Sequence, residues 1–186
     1  ASDWSSDVCS SDPGNDTTVH CISCIIEDCT YVSASFPPSK DYFMLSCLGP
    51  AVPTYMVINA TDLAINEVVE DNKAFIDEIA TKRVPSPMRQ DITLGNGFKG
   101  SMEYFRPPDV EEGSKHPLLV YAYAGPGSLQ VTSRYHFGST ITNWLRYLGS
   151  ALNIEIASVD VRGTMGLGED WKFQLYKKLG TIEIED

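Results

Sequence analysis

A change of hydrophobic pattern near residue 83 limits the fold more than any other feature of this sequence. Before it, short runs rich in β-branched and aromatic residues alternate with turns. These runs predict four strands joined by short turns: Thr18–Ser23, Cys29–Phe36, Tyr42–Leu48 and Thr54–Ile58. Four such strands describe an antiparallel meander, which is the unit of a propeller blade or of a small sandwich.

A helix is predicted where the pattern changes. Apolar residues recur at helical spacing within Asp71–Lys82, and Asp71 or Asn72 is placed to cap its start. Pro85 and Pro87 end the helix, so we place a domain boundary beside them.

The second part has the pattern of an α/β domain. Gly95-Asn96-Gly97 predicts a hairpin, and Leu118–Tyr123 is an apolar run of the kind buried on both faces of a sheet. The other predicted elements are the hairpin strands Asp91–Leu94 and Lys99–Phe105, the strand Ile154–Asp160, and the helices Thr140–Leu148 and Trp171–Leu179. Strands alternating with helices indicate parallel neighbours.

The first thirteen residues differ in composition from the rest of the chain. Asp3–Asp12 is a polar string with an isolated Trp4 and no periodicity. A disordered tail explains it, but it also resembles the translation of a sequencing-library adapter joined to a partial transcript, and we favour this second explanation. We therefore predict a non-native leader over residues 1–13 and exclude it from fold reasoning.

The charge excludes several classes of partner. With 25 acidic and 14 basic residues, the chain has a net charge of −11 at pH 7. Because such a surface repels phosphate backbones and anionic lipid, we expect no nucleic-acid partner. The sequence has neither the form of a signal peptide nor an apolar run long enough to span a bilayer.

The cysteines admit three interpretations. Removing Cys9 with the leader leaves four of the five. These four are Cys21, Cys24, Cys29 and Cys47. A four-cysteine zinc site is disfavoured because the sequence has no second Cys-x-x-Cys motif. A redox-active pair is disfavoured because no helix N-terminus follows Cys21 to lower the pKa of a thiol. Two structural disulfides fit best, and glycosylation sequons at Asn15 and Asn59 likewise indicate an oxidising compartment.

A candidate site follows the first apolar strand of the second part. Tyr123 stands at the end of this strand, directly before a Gly-Pro-Gly turn. Loops at the carboxyl ends of parallel strands carry the sites of α/β sheets, and the turn would hold a side chain rigidly toward the crevice. On the bare sequence, one more core aromatic is the better explanation of Tyr123.

Other polar residues are interpreted as structural. Asp160 and Arg162 follow the second strand and are explained best as a pair at a strand end. The three histidines, His20, His116 and His136, show no ligand spacing, so we expect neither a metal nor a cofactor. Gly-x-Ser-x-Gly, the nucleophile elbow of an α/β hydrolase, does not occur in the sequence.

Taken together, these segments resemble the dipeptidyl peptidase IV family of prolyl-oligopeptidase-like serine peptidases. Residues 21–50 resemble the last blade of its β-propeller, and residues 116–128 resemble the start of its hydrolase core. Residues 157–163 and 179–186 match family segments just beyond. The resemblance implies a mixed fold, with the last blade and its exit helix over 14–83 and the N-terminal part of an incomplete α/β-hydrolase domain over 84–186.

The resemblance also implies roles for particular residues. Cys21–Cys24 and Cys29–Cys47 would be the disulfide pairs. Tyr123 would donate its hydroxyl to the oxyanion of the tetrahedral intermediate. Pro126 and Ser128 would line the leaving-group side of the cleft.

The implied activity belongs to a longer protein. The family releases dipeptides from peptides with a free N-terminus, preferring proline or alanine at the second position. The full-length protein would be secreted or held at the cell surface by a type II anchor, and a homodimer is compatible with the family. This chain ends before the nucleophilic serine, the acid and the histidine, so the fragment alone is expected to be inactive.

Two alternatives remain open. A non-catalytic paralogue would serve as a binding or channel-accessory protein, although an intact Tyr123 favours the active branch. A small cysteine-stapled interaction module would fold alone over residues 14–83. One departure from the family pattern is Val161, which stands where glycine is usual and leaves the local geometry open.

Overall fold

The computed structural model describes residues 9–11, 19–111, 113–135 and 140–186. They belong to two compact units. The first contains residues 2–81 with 133–135, and the second contains residues 82–132 with 136–186.

The first unit is built on a four-stranded antiparallel meander. Its strands follow one another in chain order: β3 (Cys29–Ser35), β4 (Tyr42–Pro50), β5 (Thr54–Asn59) and β6 (Ile65–Glu70). Every second residue of β4 is buried, because successive side chains of a strand point to opposite faces. The buried cluster on this face consists of Ile22, Cys29, Val32, Phe43, Leu45, Cys47, Met56 and Ile58.

The predicted meander was wrong by one strand. Thr18 of the predicted strand Thr18–Ser23 lies outside the described residues, and Ser23 begins a 3₁₀ turn. The strand between them, β2 (Val19–Cys21), pairs with β1 (Cys9–Ser11) in a separate two-stranded sheet. The fourth strand of the meander is β6, in which every residue is exposed. Strand β6 lacks the buried, alternating apolar face by which a strand is recognised in a sequence. Strand β1 also lies within the segment interpreted as a leader.

The helix α1 (Lys73–Ile79) is shorter than the predicted Asp71–Lys82. At its start the Asp71 carboxylate accepts a hydrogen bond from the Lys73 N–H at 2.9 Å. Asn72 has a left-handed backbone with φ of 53°, and its side-chain amide donates to the Pro53 carbonyl instead.

Two disulfides, Cys21–Cys24 and Cys29–Cys47, staple the first unit. This is the pairing that the family resemblance implies. The second bridge joins neighbouring strands, β3 and β4, and both of its cysteines belong to the buried cluster.

The second unit is built on a mixed four-stranded sheet. The strands lie in the order β7 (Pro87–Thr93), β8 (Lys99–Phe105), β10 (Glu155–Asp160) and β9 (Leu118–Tyr121). Strands β7 and β8 form the expected antiparallel hairpin, although β7 begins at Pro87 rather than at the predicted Asp91, and β9 runs parallel to β10. The helix α2 (Thr140–Leu152) places Leu145 and Leu148 in a buried cluster with Phe105 and Ile156.

The prediction that the strand at Leu118–Tyr123 is buried on both faces was wrong. Strand β9 ends at Tyr121 and lies at the edge of the sheet. Leu118 and Val120 are 60% and 59% exposed, whereas Leu119 and Tyr121 pack against the α2 cluster. Among the described residues, the α2 cluster therefore covers one face of β9, and the other face is exposed.

The predicted helix Trp171–Leu179 is divided. The segment forms α3 (Glu169–Lys172) and then a 3₁₀ turn (Phe173–Leu175), which buries Trp171 and Leu175. Leu179 is 66% exposed and does not continue the buried stripe. A further short helix, α4 (Ile182–Glu185), comes next in the chain. Among the described residues, no helix has the length and apolar character that a membrane span requires.

Candidate active site

The candidate site lies where β9 and β10 end. Because these strands are parallel, the segments that come after them leave from the same edge of the sheet. Residues 122–131, directly after β9, are called the tyrosine loop. Residues 161–168, directly after β10, are called the glycine loop.

Tyr123 lies in the tyrosine loop and is 59% exposed, so it is not a core aromatic. A Cβ placed on Gly125 would lie 3.3 Å from the phenol oxygen, which shows that the Tyr123 ring lies against this glycine. The Ser128 N–H closes the turn by donating to the Gly125 carbonyl at 2.9 Å. Gly127 has φ of 76°, a conformation that favours glycine.

The other two residues expected in the site lie in the same turn. Pro126 is exposed, and Ser128 is partly buried. The Ser128 hydroxyl donates to the backbone carbonyl of Tyr123 at 3.1 Å. Ser128 therefore fixes the backbone that carries the phenol.

Backbone hydrogen bonds join the two loops. The Met165 N–H donates to the Ser128 carbonyl at 2.8 Å, and the Gly127 N–H donates to the Gly163 carbonyl at 3.4 Å. The tyrosine loop is thus held against the glycine loop as well as by its own turn.

Asp160, the last residue of β10, is only 2% exposed. Its carboxylate accepts hydrogen bonds from the backbone N–H groups of Gln130 and Val131, at 2.9 and 2.7 Å. Burial raises the pKa of this carboxyl above its usual value, and the two backbone hydrogen bonds act in the opposite direction.

Arg162 does not pair with Asp160, contrary to the sequence interpretation. Its guanidinium forms a bidentate ion pair with Asp186, with Nε–O and Nη2–O distances of 2.9 and 2.6 Å. The Asp186 hydrogen bonds raise the pKa of Arg162 above its usual value. The Arg162 guanidinium also lies 5.4 Å from the centre of the Phe98 ring, so its contacts are structural.

The glycine loop tolerates the departure at Val161. This side chain is buried with Leu94 and Trp171 rather than strained against the turn. Gly163 is the position in this loop that requires glycine. Its φ is 98°, and a Cβ there would lie 1.8 Å from Leu175 Cδ1.

The other residues singled out in the sequence have these surroundings. Asn59 ends β5, and its side-chain oxygen accepts the Thr61 N–H at 2.8 Å. Asn15 and His136 lie outside the described residues. His116 is 2.7 Å from the Ser114 hydroxyl. Within the described ranges, no three His, Cys, Asp or Glu side chains are placed to hold a metal ion.

No family model matches this chain, but curated proteins similar to it include dipeptidyl peptidases and a prolyl endopeptidase. Dipeptidyl peptidase 4 of Sus scrofa is 35% identical over 172 residues, which are 91% of this chain and 22% of that protein. Prolyl endopeptidase FAP of Mus musculus is 34% identical over 169 residues, covering 89% and 21%. Venom dipeptidyl peptidase 4 of Apis mellifera is 29% identical over 178 residues, covering 93% and 22%.

This chain belongs to the dipeptidyl peptidase IV family. It spans about a fifth of the length of the curated relatives it matches. Among solved structures, dipeptidyl peptidase 4 of Porphyromonas gingivalis matches 95% of this chain and 24% of its own, with a TM-score of 0.81 and 23% identity. A putative dipeptidyl aminopeptidase IV of Bacteroides ovatus matches 83% and 21%, with a TM-score of 0.70 and 19% identity. The fold of this chain is therefore one that occurs in dipeptidyl peptidase IV structures.

Proposed function

We propose that this chain is a fragment of a serine exopeptidase that releases N-terminal dipeptides with proline or alanine at the second position. The names of the relatives support this reaction class, since they describe dipeptidyl peptidases and a prolyl endopeptidase. Residues 14–83 would form the last propeller blade and its exit helix, and residues 84–186 would begin the hydrolase domain. The full-length protein would act on peptides with a free N-terminus, in secreted or membrane-anchored form.

The exposed phenol of Tyr123 is the observation that carries this proposal. A tyrosine hydroxyl is a neutral hydrogen-bond donor on a stiff side chain. Here it lies on a turn at the carboxyl end of a parallel strand, where α/β sheets place their sites. Aimed at an oxyanion, such a donor contributes about 3–4 kcal/mol of transition-state stabilisation.

Pro126 and Ser128 would line the leaving-group side of the cleft. Ser128 is not a candidate nucleophile, because its hydroxyl is engaged by the Tyr123 carbonyl and lies outside a Gly-x-Ser-x-Gly motif. Without this motif the purified 186-residue chain should not turn over a glycyl-prolyl chromogenic substrate. Measurable turnover by the pure chain would contradict this assignment.

A chimera tests the proposed function directly. Residues 19–186 replace the matched segment of porcine dipeptidyl peptidase 4, which supplies the remainder of the enzyme. The chimera should cleave the glycyl-prolyl substrate, and Tyr123→Phe should lower kcat by about 10²–10³ with KM unchanged. A Tyr104→Phe variant, altered on β8, serves as the matched control. A folded chimera in which Tyr123→Phe leaves kcat unchanged would remove Tyr123 from the mechanism.

A further inference from the structure

We infer that Asp160 is a positioning residue for the Tyr123 hydroxyl, because its buried carboxylate fixes the far end of the tyrosine loop. The inference rests on the proposed function only in its last step, the effect on catalysis. The first step, in which Asp160 fixes the tyrosine loop, does not depend on the proposed function and can be tested in this chain without the rest of the enzyme.

Asp160 lies where strand β10 extends beyond its neighbour β9. Ser158 of β10 is opposite Tyr121, the last residue of β9. Asp160 therefore lies two residues beyond the end of the β9 ladder, where no β9 residue remains to pair with the backbone. Gln130 and Val131, at the end of the tyrosine loop, lie beside Asp160. Their backbone N–H groups donate hydrogen bonds to the Asp160 carboxylate.

The carboxylate suits this task better than its neutral isostere would. The backbone nitrogen of Gln130 lies 2.9 and 3.1 Å from the two carboxylate oxygens of Asp160. The backbone nitrogen of Val131 lies 2.7 Å from one of these oxygens. An ionised carboxylate only accepts hydrogen bonds, and such charge-assisted bonds are stronger than neutral ones. An asparagine at 160 would present an NH₂ group on one side, which cannot accept from a backbone N–H.

The fixed end is linked to Tyr123 by further contacts. Two residues before Gln130, Ser128 accepts from the Met165 N–H through its carbonyl and donates to the Tyr123 carbonyl through its hydroxyl. The loop is thus anchored by β9 at its start, by Asp160 at its end and by Ser128 between them. Releasing the Asp160 end would let the turn that supports the phenol move, and small misplacements of a catalytic donor are costly.

Amide hydrogen exchange in the 186-residue chain tests the first step. Asp160→Asn should speed the exchange of Gln130 and Val131 by about tenfold or more, since each loses a charge-assisted hydrogen bond. The matched control is Glu155→Gln, which alters a carboxylate at the opposite end of β10 from Asp160. In this control, the same two amides should change by less than about twofold. Equal rates in wild type and Asp160→Asn would overturn the inference.

Kinetics of the chimera test the second step. Asp160→Asn should lower kcat by about tenfold or more with KM unchanged. In the Tyr123→Phe background the same change should have little further effect, because a positioning residue acts through the group it positions. Losses that multiply in the double variant would show that Asp160 acts by another route and would overturn the inference.

These outcomes separate the inference from the proposed function. If Tyr123→Phe leaves kcat unchanged, the proposed function fails, while the exchange rates still decide whether Asp160 fixes the loop. If the long chimera does not fold, a shorter graft of residues 118–165 carries the same variants.

Discussion

Gly163 shows at the residue scale how closely the glycine loop is packed. Its positive φ and the nearness of Leu175 both disfavour a Cβ. We expect Gly163→Ala to lower the free energy of unfolding of the second unit by about 2–4 kcal/mol, combining backbone strain with overpacking. Thermal unfolding followed by circular dichroism measures the loss.

Gly168→Ala is the control for this prediction. Gly168 also has a positive φ, 92°, but nothing lies within 4 Å of an added Cβ. Only the backbone cost of about 1–2 kcal/mol should appear there. Equal losses in the two variants would contradict the close contact between Gly163 and Leu175.

Glu103 gives the stability a pH dependence. Burial raises its pKa above the usual 4.5, although its ion pair with Arg89 acts to lower it and Asp160 adds to the rise. The folded state therefore holds this proton more tightly than the unfolded state. The resulting stabilisation is complete below the unfolded-state pKa and is lost as the pH rises through the folded-state pKa.

Glu103→Gln removes this titration. The free energy of unfolding of the wild type, relative to that of Glu103→Gln, should fall as the pH is raised from about 4 to about 7. Urea unfolding at several pH values measures the difference. A difference that stays constant would show that the ion pair offsets burial, and one that grows with pH would show that the ion pair outweighs burial.

The residue roles in this site were only partly predictable from the sequence. The apolar strand and the Gly-Pro-Gly turn mark Tyr123 as a candidate, but the bare sequence favours a core aromatic, and its proposed role comes from the family resemblance. The Asp160 contacts to Gln130 and Val131 span about 30 residues, and the Arg162 ion pair with Asp186 spans 24. Such pairs are brought together by the sheet, and no local pattern marks them.

At the element scale, the bridge Cys29–Cys47 fixes β3 to β4 across the core of the first unit. Replacing both cysteines with alanine should cost about 3 kcal/mol, since the bridge closes a loop with a sequence separation of 18. Replacing Cys21 and Cys24, separated by only 3, should cost less. Chemical denaturation of the two double variants makes the comparison, and a larger loss from the shorter bridge would contradict this account.

Elements with local signals were predicted well, and those defined by tertiary contacts were not. The β7–β8 hairpin has its Gly-Asn-Gly turn, and β3, β4 and β5 are bounded by turn residues. Strand β6 has no buried face, and the edge position of β9 depends on which strand the chain places beside it. The predicted Trp171–Leu179 helix is interrupted before Leu179, since Lys177 has a left-handed backbone with φ of 59°.

At the scale of the whole molecule, the chain covers about a fifth of its relatives' length. Tyr123, the turn beneath it and the Asp160 carboxylate all lie within the second unit. We propose that this phenol stabilises the oxyanion of a tetrahedral intermediate.

Binding of a tetrahedral analogue to the chimera tests this claim most directly. A glycyl-prolyl boronate forms a tetrahedral adduct with a catalytic serine, so its affinity reports stabilisation of the transition state rather than of the substrate. Tyr123→Phe should weaken boronate binding by about 10²–10³ while KM for the glycyl-prolyl substrate stays the same. Equal boronate affinity in the two proteins would contradict it.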